Sequence, residues 1–82
     1  MLILLQATTI SAYAQSKLLE NVKRNPSESI QLCKRFKELN DNGISSGSKR
    51  VIKEIALERN LSEMDAEILS VYVIALHCPQ VK

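Results

Sequence analysis

A chain of 82 residues has room for one domain, and a chain this short buries only about 60% of its unfolded surface, so its core is marginal. Apolar residues make up 45% of it, which excludes a disordered chain, and 11 basic against 9 acidic residues leave a net charge of +2, too even to point to nucleic acid or an acidic membrane. The aromatics are only Tyr13, Phe36 and Tyr72, which leaves almost nothing for stacking on bases or sugars.

Residues 1–14 read as an export signal. Met1 to Ser11 carries no charge, and Ala12-Tyr13-Ala14 supplies the A-x-A pattern after which signal peptidase cleaves, leaving Gln15 as the mature N-terminus. The strip is too short for a permanent span, which needs about 20 apolar residues. It also lacks the basic residues that open a signal peptide, as a start codon placed too far downstream would explain. The competing reading makes residues 2–14 a first amphipathic helix. On the export reading, residues 15–82 form a single helical domain that is secreted or periplasmic.

Ser16 to Arg24 is a short helix with Leu18, Leu19 and Val22 on one side. Asn25 is placed to cap the next helix, with Pro26 at its first position and Glu28 reaching back as in a capping box. That helix runs to about Asp41, with Leu32, Cys33, Phe36 and Leu39 on its apolar face. Asn42-Gly43 ends it, with Gly43 free to turn left-handed. Ile44 to Ser48 reads as a flexible Ser/Gly linker. Ser48 caps a third helix, Lys49 to Arg59, striped by Val51, Ile52, Ile55 and Ala56, with Glu54 and Glu58 on the wetter side. Leu61-Ser62 starts the last helix, and Ser62 with Asp65 makes a second capping box. Ile68 to Leu76 is apolar nearly all round, which predicts a helix buried on every side as the core element. Pro79 ends it. The fold class is therefore all-α, a small bundle of three to four helices.

Cys33 lies on a buried helical face and Cys78 ends the most apolar helix. An even cysteine count together with an export signal predicts a Cys33–Cys78 disulfide. The alternative is a pair of reduced, buried cysteines in a cytosolic protein. His77 is the sole histidine, so a metal cluster is not expected, and ligation of haem or metal by His77 and Tyr72 is weaker than a histidine placed favourably at a helix end. No paired carboxylates, nucleophile triad or phosphate loop stands out. The expectation is a non-enzyme with no cofactor and no catalytic or metal residues.

The order Cys33, Leu39, Gly43, Ile52, Ile55, Leu61-Ser62, Ala66, a run of aliphatics, then His77-Cys78-Pro79 resembles a family of small secreted helical proteins, known largely from actinobacteria and classed as a domain of unknown function. The resemblance covers roughly residues 30–79. It implies export, a helical fold and pairing of the two cysteines, and it implies no activity. This chain departs from the pattern in having His77 where a tyrosine is usual, and in a longer charged segment after Cys33.

The functional expectation is an exported binding module whose partner is an unknown protein or envelope component. The rival is a helix-turn-helix DNA-binding regulator over residues 49–76, because Ile52 to Val73 resembles the two helices of a response-regulator DNA-binding domain. Glu63, Asp65 and Glu67 oppose that rival, since they occupy the turns where a recognition helix meets phosphate.

Overall fold

The computed structural model describes residues 17–82, and the Ala12-Tyr13-Ala14 cleavage pattern lies outside them. Four helices, with no strand among the described residues, form the fold. These are α1 (17–24), α2 (Pro26–Asp41), α3 (Lys49–Arg59) and α4 (Glu63–His77). The all-α expectation is met.

α1 turns Leu18 and Val22, four residues apart, into the core. It nearly runs on into α2: the Asn25 N–H donates to Asn21 O and the Ser29 N–H to Asn25 O. What separates the two helices is Pro26, which disfavours helical geometry in the residue before it, and Asn25 accordingly sits at φ −120°, ψ 69°. The expected cap at Asn25 is not made. Its side-chain amide donates backward to Asn21 O, so no side-chain oxygen caps α2. The expected capping box fails with it, and Glu28 is paired with Arg59 of α3.

α2 buries Ser29, Leu32, Cys33 and Phe36. It ends as its Asn-Gly pair predicts. Gly43 takes φ +74°, its N–H reaches Asn40 O at 2.9 Å, and the Ile44 N–H reaches Leu39 O at 2.8 Å. This is a Schellman ending, in which the apolar residue after the glycine packs near the last turn of the helix; Leu39 and Ile44 both lie half-buried against the core.

The segment from Ile44 to Ser48 is not the free linker that its composition suggests. Ser46 is buried, and its N–H donates to Lys82 O at 2.8 Å. Asn40 holds the same end of the chain from α2. Its Oδ1 accepts from the Lys82 N–H at 2.7 Å, while its Nδ2 donates to Lys82 O and Ile44 O, each at 2.9 Å. Val81, next to this clamp, is buried.

Ser48 caps α3 by accepting from the Val51 N–H, and Ser62 caps α4 by accepting from the Asp65 N–H at 3.0 Å. Between them Asn60 makes the left-handed turn at φ 54°. α3 buries Val51, Ile52, Ile55 and Ala56. Across the surface, Arg35 of α2 grips two carboxylates of α3, Glu58 at 2.8 Å and Glu54 at 3.0 Å. The hydrogen bond that Arg35 donates to the Glu58 carboxylate is the main reason its guanidinium is pushed above its ordinary pKa.

α4 packs against both α2 and α3 and is the central helix, as expected. It is not buried on every side. Ala66, Leu69, Ser70 and Val73 face inward, while Val71 and Leu76 are exposed. Among the described residues α4 packs against α2 and α3, and helices on those sides leave its outer side uncovered. Buried Ser70 is satisfied by donating to Ala66 O at 3.0 Å. Cys78 is fully buried just beyond the helix and is bonded to Cys33, with the two α-carbons 6.0 Å apart. This spacing lies within the usual range for a disulfide. The bridge ties the end of the central helix to the middle of α2.

Candidate functional site

Among the described residues no group of three His, Cys, Asp or Glu side chains is arranged to hold a metal, and no helix is long and apolar enough to cross a membrane. His77 is exposed on the last turn of α4, and Tyr72 is half-buried five residues earlier. Five residues at helical pitch separate the two by about 140° around the axis, so they do not converge. Neither cysteine is free.

The feature that does stand out is the outer side of α4. At about 100° per residue, Ala66, Leu69, Ser70 and Val73 form the inward face. Met64, Ile68, Val71 and Ala75 fall on the opposite side. Met64 is 70% exposed and Val71 56%, Ala75 is also exposed, and Ile68 is half-buried. Tyr72 and Leu76 extend this stripe along one shoulder; Tyr72 is half-buried and Leu76 is 49% exposed. The helix is therefore apolar on two sides, one occupied by the core and the other facing solvent. Single exposed apolar residues are ordinary, whereas a row of them along one helix is less so.

The charged groups of α4 gather at one end. Glu63, Asp65 and Glu67 stand in its first turns, where they favour the positive end of the helix dipole. Beside them an open groove of about 420 Å3 runs between the two helix starts, lined by Gly47, Lys49, Ile52, Glu63, Met64 and Glu67.

A family model described as a domain of unknown function (DUF8664) matches residues 19–78. The chain belongs to this family. The matched region begins within α1 and ends at Cys78, so it takes in both bridged cysteines and all of the outer stripe of α4. No curated protein and no solved structure matches the chain.

The bridge joins the two cysteines that the sequence paired. The sequence nominated no binding surface. The 4-3-4 spacing of Met64, Ile68, Val71 and Ala75 is present in it, but in a segment apolar nearly all round that spacing does not stand out from its neighbours. Asn40 offered no local signal, since Lys82, which it holds, lies 42 residues away.

Proposed function

We propose that this member of the DUF8664 family is an exported, disulfide-locked binding module, and that the outer face of α4 is its docking surface. The observation that carries the reading is the exposed row of Met64, Val71, Ala75 and Leu76 on the helix that also forms the core. Holding that row in water is unfavourable by roughly 25 cal/mol for each Å2 of apolar surface, a cost removed when a partner covers it. α4 is a rigid base for such a surface, because its inner face and its bridged end are both fixed.

Export is supported by the buried bridge, since structural disulfides belong to oxidising compartments, and by the cleavage pattern at Ala12 and Ala14 before Gln15. A binding role rather than catalysis fits a domain whose outward face is aliphatic and whose acidic residues serve a helix start. The same face weighs against DNA recognition over residues 49–76. A recognition helix meets phosphate with its first turns, and here those turns present Glu63, Met64 and Glu67.

The reading is tested by placing a photo-crosslinking amino acid at Val71, and separately at Lys37 on exposed α2, in protein expressed in its native host. A discrete adduct at position 71, absent at 37 and lost when Met64→Arg is added, is expected. Equal labelling at both positions, or none at either, would contradict it.

A further inference from the structure

Resting on the reading of α4 as a docking face, we infer that the occupant of that face is a second copy of this chain, seated antiparallel across a two-fold axis near the middle of the helix. The first observation is register. Met64, Ile68, Val71 and Ala75 are spaced four, three and four residues apart, the a/d pattern by which helices interlock as knobs into holes. The inward residues Ala66, Leu69, Ser70 and Val73 occupy the remaining side, and Ile68 is shared, half-buried against the core with its rest on the seam, so one helix carries a globular core face and a coiled-coil seam. An antiparallel partner sets Ile68 against the second copy's Val71 and Met64 against its Ala75. The seam is thus self-complementary about one axis, as an isologous interface requires. Ala75 is small where Met64 is long, so each fills the other's space.

The second observation is charge. Glu63, Asp65 and Glu67 all lie in the first turns of α4, and no charged residue follows from Ile68 to Leu76. A parallel pair would bring six carboxylates together. An antiparallel pair sends the two acidic ends to opposite ends of the seam and places each against the other copy's uncharged half of α4, which ends at His77. It also brings Asp65 alongside the other copy's Tyr72, whose hydroxyl can donate to it.

The third observation is size, which fixes how strong the association is. From Met64 to Ala75 the seam is about 17 Å long. One helix pair of that length covers less than the ~800 Å2 per partner of a standard stable interface. An interface this small fits a weak, concentration-dependent dimer, to be sought in roughly the micromolar-to-millimolar range.

Sedimentation equilibrium of the oxidised domain from about 10 µM to about 1 mM spans that range. The apparent mass is expected to rise from one copy towards two. Val71→Glu, at the centre of the seam, is expected to weaken association at least about tenfold while leaving the melting temperature of dilute, monomeric protein unchanged. Met64→Arg at the edge gives a second, independent variant should the first misfold. Photo-crosslinking from position 64 is expected to yield an adduct of twice the chain mass, mapping to the C-terminal half of α4. A protein that stays monomeric at about 1 mM, or a position-64 adduct that maps onto Met64 itself, overturns the antiparallel dimer. A monomer whose position-71 adduct contains a different protein overturns the second copy but keeps the docking face. Absence of any specific adduct at 71 overturns both.

Discussion

The double substitution Cys33→Ala, Cys78→Ala removes the covalent bond together with two buried sulfur atoms, and leaves no polar group unpaired. The bridge closes a loop spanning 45 residues. A cross-link of that length lowers the entropy of the unfolded chain by an amount worth about 4 kcal/mol at room temperature. A domain of this size has only roughly 5 kcal/mol in hand. At the usual scaling for small domains, the loss moves the melting temperature down by about 15–30 °C. Native protein should at first resist reductant, because Cys78 is fully buried and Cys33 is only 5% exposed, so attack on the bond awaits an opening of the fold. The assay is thermal melting by circular dichroism, comparing oxidised protein, protein reduced after unfolding, and the double variant. The last two should coincide. A shift under about 5 °C in both would mean that the apolar core alone sustains the fold, and would refute the assignment of most of the stability to the bridge.

Three further outcomes follow from named contacts. Val73→Glu should unfold the domain by burying an unpaired charge, while Val71→Glu, two residues away on the outer side, should melt within about 0.5 kcal/mol of the parent; circular dichroism on dilute samples separates them. Asn40→Ala removes the three hydrogen bonds that fix Ile44 and Lys82, and should cost about 1–3 kcal/mol and speed amide exchange at Ser46 and Lys82, read by NMR. Arg35→Ala, despite losing two carboxylate partners, should cost no more than about 1 kcal/mol by urea unfolding, because Glu54 and Glu58 are half-exposed and return to water.

What could be read from the sequence was what depends on near neighbours along the chain. Pro26, Gly43, Ser48 and Ser62 mark helix ends through the conformation or hydrogen bond that each residue type supplies locally, and the structure puts those ends where the residues do. Cys33 and Cys78 were paired from their number and from the compartment inferred for them. Asn25 misled because the same amide that can cap a helix can also donate backward to Asn21 O, and the proline beside it decided the geometry. Ser46 reads as linker because its partner, the Lys82 carbonyl, lies far along the chain and comes beside it only in the fold. The hydrophobicity of α4 showed that it was central. It could not show how many neighbours the fold provides, and it is that number which leaves Met64, Val71 and Leu76 in solvent. The exposed side of α4 is therefore hidden by the helix's own composition.

Intact mass spectrometry of the protein recovered from its native host tests most directly the proposed export to an oxidising compartment. A chain that begins at Gln15, lacks residues 1–14, and is lighter by two hydrogens than its reduced form because Cys33 and Cys78 are joined is expected. A chain that keeps Met1 and carries two free thiols would contradict it.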